Sequence, residues 1–130
     1  MPAVFVDTSA IYALLDRSDT NHVAAAATLP ALRDRGLLTH SYVVVESVAI
    51  LQNRLGMAAV RRLVDDLLPA FDVRFVTPEL HGTAVAALLA SGSPDVSLVD
   101  RVSFEFMRGA GMTDALAFDR HFEQAGFALV

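Results

Sequence analysis

Short apolar segments of strand character alternate with longer segments of helical periodicity along the whole chain, and this alternation limits the fold more than any other feature. A strand over about 3–6, "LLTH" at 37–40, "FDVRFV" at 71–76, "DALAF" at 114–118 and "GFALV" at 126–130 read as strands. Between them the spacing predicts a short helix ending near Asp16, then a second that Asp19 or Thr20 caps and Gly36 stops, with Pro30 kinking it. A third helix runs from a Ser41 cap to Gly56, and a fourth covers about 57–68. Thr77 caps and Pro78 opens the helix at 78–90, "SGSPD" turns, and Ser97 with Asp100 forms a capping box for "SLVDRVSFEFMRGAG". Strands that alternate with helices imply right-handed crossovers and a mainly parallel sheet covered on both faces, an α/β/α sandwich of three layers. No repeat or linker divides residues 1–130, so the chain reads as one domain. Ligands of such sheets bind in the crevice at the carboxyl ends of the strands.

Composition removes several chemistries. Cysteine is absent, which excludes thiol catalysis, Cys-based zinc sites and disulfides. All ten basic residues are Arg. Without Lys there is no Schiff base and no P-loop lysine. Hydrophobic residues make up 54% of the chain, yet no run approaches the roughly 20 residues of a membrane span. "MPAVFVD" lacks the basic start and cleavage site of a signal peptide, and the absence of Cys leaves a cytoplasmic reading as the default. The net charge of −5 argues against nucleic-acid binding through a basic surface. It leaves open binding through divalent cations held by the excess acids.

Four acids stand where a strand ends or a helix begins. In "VFVDTSAIYALLD" Asp7 ends the first strand; Glu46 lies in the second turn of the helix after strand two; Asp100 is in the first turn of its helix; Asp119 follows strand four. In a parallel sheet all four face one edge. Crowded carboxylates repel, and hard cations that prefer oxygen ligands offset that repulsion. One or two Mg²⁺ or Mn²⁺ ions are the natural occupants, able to activate water and stabilise an in-line phosphoryl displacement. Each acid also has a plain structural alternative: Asp7, Asp100 and Asp119 as caps, Glu46 as a paired helix acid.

Other polar residues divide by position. Asp114 lies five residues before Asp119, about 16 Å along a strand, and so falls at the opposite edge. Asp95 reads as a turn acid. Thr8 and Ser9 are small hydroxyls that let backbone and solvent approach Asp7, and Ser97, beside its capping role, is a candidate supporting hydroxyl. Arg101, Arg120 and His121 are candidate substrate contacts, with charge balance as the alternative for the arginines. His40 reads as a rim or hydrogen-bonding residue, since the four histidines show no metal-ligand spacing.

Together "VFVDTSAIYALLD", "LLTHSYVVVESVAILQNRLG", "SLVDRVSFEFMRGAG" and "ALAFDRHFEQAGF" resemble the PIN domain family, in particular its small VapC-type toxins, over nearly the whole chain. The resemblance implies a metal-dependent endoribonuclease using Mg²⁺ or Mn²⁺, a homodimer, and a neighbouring antitoxin that inserts a peptide into the site. It carries the family's acids onto Asp7, Glu46, Asp100 and Asp119, the last in a D-x-H-F setting, and the hydroxyl after the first acid onto Thr8 or Ser9. The chain departs from the family in its overall acidity.

Two rival readings remain. A phosphatase of the haloacid-dehalogenase type requires a second Asp two residues after the first and a downstream Lys; Ser9 occupies that position and Lys is missing. A catalytically silent PIN-like module would bind RNA or protein without cleaving it, and has no reason to keep the strain of crowded acids.

Overall fold

A computed structural model describes residues 2–130. Five strands, β1 (Val4–Val6), β2 (Leu37–His40), β3 (Asp72–Arg74), β4 (Asp114–Leu116) and β5 (Ala128–Leu129), form one sheet in the order β3-β2-β1-β4-β5. Every pairing is parallel. Seven α-helices accompany it: α1 (Thr8–Leu15), α2 (His22–Leu32), α3 (Ser41–Arg54), α4 (Met57–Arg62), α5 (Pro78–Ser91), α6 (Leu98–Gly109) and α7 (His121–Gln124). This is the α/β/α sandwich that the alternation implies. Val4, Phe5 and Val6 on the central strand are fully buried, as an unbroken apolar run requires when helices cover both faces.

Capping fixes where several helices begin. Asp7 caps α1, Thr77 caps α5 ahead of Pro78, and Ser97 Oγ accepts from Asp100 N at 3.1 Å to start α6. The Asp100 carboxylate is reached in return by the Ser97 backbone, and His121 engages it as well. Gly92 ends α5 in the left-handed conformation (φ 64°), which glycine adopts without steric penalty.

Other boundaries depart from the sequence reading. The second helix begins at His22, because the Asp19 carboxylate accepts from Asn21 N (3.0 Å) and holds a turn there. It carries Pro30 and runs into a 3₁₀ turn over residues 33–35. The third helix is capped by His40, whose Nδ1 accepts from Val43 N; Ser41 Oγ instead accepts from Val76 N at 2.9 Å. The fourth helix is shorter than expected and unwinds through a π turn at residues 63–67 and a 3₁₀ turn at 68–70 that contains Pro69. The third strand keeps only residues 72–74 because it is an edge strand, and Phe75 beyond it is 84% exposed. No described helix is long and apolar enough to cross a membrane.

Candidate metal-binding cleft

The sheet order places β1 at its centre. The chain runs outward through β2 and β3 on one side, then returns to build β4 and β5 on the other. The reversal opens a crevice beyond the carboxyl ends of β1 and β4. Asp7 is the first residue after β1 and Asp119 the third after β4. A cleft of about 350 Å³ lies there, and Asp7, Glu46, Asp100 and Asp119 all line it. Four acids spread over the sequence thus meet at one sheet edge.

Asp7 is the most enclosed, with 4% of its surface exposed. As N-cap of α1 its Oδ2 accepts from Ser9 N at 3.1 Å and from Ser9 Oγ at 2.6 Å. Capping and facing the cleft are therefore one role. Burial pushes its carboxyl up to about 7, the Ser9 hydrogen bonds oppose this, and the Asp100 and Glu46 charges add to the rise. Ser9 Oγ also accepts from Phe118 N at 2.9 Å, tying the exit of β1 to the exit of β4.

Asp100 is raised above the usual carboxylate range, chiefly by burial and next by the Asp119 charge; the His121 hydrogen bond opposes the rise. His121 Nδ1 stands 3.3 Å from Asp100 Oδ2 and 2.9 Å from Asp119 Oδ1. Asp119 Oδ1 also accepts from His121 N. One ligand atom from each of these three residues falls within 4.8 Å of the others. Glu46 is half-buried and reaches the cleft from α3.

This donor set suits a hard divalent cation. It is built of carboxylate oxygens, two of them held above their ordinary range chiefly by burial and further by the neighbouring acids. Both Ser9 bonds fall on one oxygen of Asp7, and the neighbouring Thr8 Oγ1, which lines the same cleft, is buried without a partner. Asp100 and Asp119 could hold an ion together, and Asp7 and Glu46 line the same cleft.

Among the supporting hydroxyls, Thr8, Ser9 and Ser97 all line the cleft. None of the three expected substrate contacts does. Arg101 turns away, its guanidinium donating to Ser91 Oγ on α5 at 2.8 Å. Arg120 is exposed at the start of α7, outside the lining. His121 stands behind the acids as their hydrogen-bond partner. Asp114 lies level with Val4 at the far end of the sheet, paired with Arg35. Asp95 is exposed in its turn. His40 is wholly buried, bonded to Ser103 Oγ at 2.8 Å and packed against Phe5 and Phe106.

The sequence reading missed the remainder of the lining: Tyr12, Asp19, Asn21, Ile50, Arg54 and Phe118. For α3 a signal was present. Glu46, Ile50 and Arg54 are spaced i, i+4, i+8 and so share one helix face.

The chain belongs to the PIN domain family: the family model matches residues 4–128. It is 35% identical to the 23S rRNA-specific endonuclease VapC20 of Mycobacterium tuberculosis over 128 residues, 98% of this chain and 97% of that one. The crystal structure of VapC20, described as a sarcin–ricin loop cleaving toxin, matches with a TM-score of 0.86 and 34% identity over 96% of each chain. A more distant likeness, to VapBC2 of Rickettsia felis bound to a promoter DNA fragment, has a TM-score of 0.74 and 10% identity over 98% of this chain and 97% of that chain, and bears on the fold alone.

Proposed function

We propose that this chain is a Mg²⁺- or Mn²⁺-dependent endoribonuclease, the toxin of a toxin–antitoxin pair, with 23S ribosomal RNA as its substrate. The carrying observation is the convergence of Asp7, Glu46, Asp100 and Asp119 on one cleft at the switch point of the sheet. The bound metal supplies an activated water and charge stabilisation for in-line displacement at phosphorus. Asp7, buried and fixed by Ser9, presents a carboxylate whose charge lacks compensation until a cation arrives. His121 bridges Asp100 and Asp119. The ribosomal substrate rests on the likeness to VapC20, and the cytoplasmic location follows from it. A cognate antitoxin and a homodimer belong to the same reading.

Purified protein incubated with ribosomes tests it. Cleavage of 23S RNA should require added Mg²⁺ or Mn²⁺, stop with a chelator, and be lost in Asp7→Asn and Asp100→Asn while both variants keep the fold by circular dichroism. Metal-independent cleavage, or full activity in either variant, overturns the assignment. RNA binding with no cleavage under any metal favours the silent module. Light scattering reads the dimer, and a monomer at micromolar concentration refutes it.

A further inference from the structure

The acid cleft has a second end. On α3 the face that presents Glu46 continues through Ile50 to Arg54, and all three line the cleft. Eight residues of helix separate Glu46 from Arg54 by about 12 Å along the axis. Arg54 is the one basic side chain among the described lining residues, in a chain of net charge −5. Its guanidinium carbon sits 5.4 Å from the centroid of the Tyr12 ring on α1, in cation–π range. The ring itself is anchored: Tyr12 Oη donates to Asp16 Oδ2 at 2.6 Å, and Asp16 Oδ1 accepts from Ser18 N and Ser18 Oγ. No carboxylate of the described residues forms an ion pair with Arg54. An exposed guanidinium in contact with an anchored ring thus lines a cleft whose other charged residues are all acids.

We propose that Arg54, seated on Tyr12, binds an RNA phosphate that flanks the scissile bond and offers its outer face for stacking by the adjoining base. The proposal rests on the ribonuclease reading and names the substrate contact that reading lacks. An arginine fork matches a phosphate in two parallel hydrogen bonds, and its planar face accepts a base. The separation from Glu46 makes the contact a flanking phosphate rather than the reacting one. An acidic cleft that repels RNA everywhere except at its metal end and at this post threads the strand along one line.

The test uses a synthetic RNA hairpin carrying the sarcin–ricin loop, unmodified and with a neutral methylphosphonate placed at each linkage in turn. Arg54→Ala should raise KM roughly tenfold and leave kcat within about twofold, as expected for a lost hydrogen bond to a charged group. The salt dependence of binding should weaken by about 0.7 in log–log slope, one phosphate contact to a single strand. One methylphosphonate position should raise KM for the unaltered protein and have no effect on Arg54→Ala. Arg54→Lys should restore the salt slope without restoring full KM, and Tyr12→Leu should fall between. Arg62→Ala, which removes an equal charge from an exposed position on α4, should change nothing. The proposal is overturned if Arg54→Ala keeps its KM, if its loss lies in kcat alone, or if neutral linkages affect both proteins alike. An Arg54→Ala protein that cleaves normally but escapes a co-expressed antitoxin assigns the post to a protein partner instead. Failure of the unaltered protein to cleave any RNA removes the ribonuclease reading itself, a result separate from an unchanged KM.

Discussion

Ser9 Oγ donates its proton to Asp7 Oδ2 at 2.6 Å and itself accepts from Phe118 N at 2.9 Å. One small side chain thereby orients the deepest acid and joins the two strand exits that flank the cleft. Ser9→Ala removes both bonds. Its loss should push the Asp7 carboxyl further up and reduce metal affinity by roughly ten- to a hundredfold, the usual range for a lost supporting bond to a metal ligand. Calorimetric titration with Mn²⁺ checks this; unchanged affinity would show that Ser9 serves the helix cap alone.

The elevated Asp7 group has a consequence for stability in metal-free solution. Its ordinary value is 3.8 and burial raises it to about 7. Between these limits the folded chain binds a proton that the unfolded chain has released, so stability must fall as pH rises from about 4 to about 7. The cost is on the order of a few kcal/mol. Asp7→Asn should flatten this decline in chelator-treated protein. Mn²⁺ should stabilise the unaltered chain more at pH 7.5 than at pH 5, and Asp7→Asn hardly at either. Thermal melts across pH, with and without metal, supply the measurement.

His40 imposes the opposite dependence. Burial lowers its imidazole from 6.5 to about 4, so the unfolded chain takes up a proton that the folded one refuses. Stability should therefore decline as pH falls from about 6.5 towards 4, by on the order of 1–3 kcal/mol. Replacing His40 with Met should flatten that acid limb even if the lost cap of Val43 lowers stability throughout. In Asp7→Asn, where the opposing slope is gone, the acid limb should steepen.

Asp114 and Arg35 form a half-buried pair at the end of the sheet remote from the cleft, and Arg35 Nε also donates to Pro2 O at 3.0 Å. Asp114→Asn should leave RNA cleavage near normal and cost about 1–3 kcal/mol of stability, because a largely buried guanidinium loses its countercharge. Denaturant melts and cleavage assays on the same preparation separate the two effects. A folded but inactive Asp114→Asn would contradict the placement of the catalytic edge.

Much of this was legible in sequence, and the reasons are local. β2 was readable to the residue because Gly36 precedes it and a helix-forming run follows; Thr77–Pro78 carried an unambiguous cap. The acids were legible because strand exits in a parallel sheet share an edge. What escaped notice depends on packing. His40 takes the cap that Ser41 was expected to supply because the imidazole is already pinned by Ser103 in the core. Arg101 follows a site acid in sequence, yet a helical step of 100° turns it from the cleft towards Ser91. Nothing in "LQNRLG" marks Arg54, and only the approach of α1 to α3 gives it Tyr12 for company. Phe75 made "FDVRFV" look like a longer strand, although an edge strand has no covering layer there to demand the extra ladder.

The separation of the Arg35–Asp114 clasp from the acid notch divides the sheet into a rim that carries the cleft and a rim that carries none of its lining. Sequence drift at the quiet rim can therefore make good whatever firmness the crowded carboxylates take away, without any change at the working end. Among relatives, gains in robustness should accumulate around the amino ends of the strands.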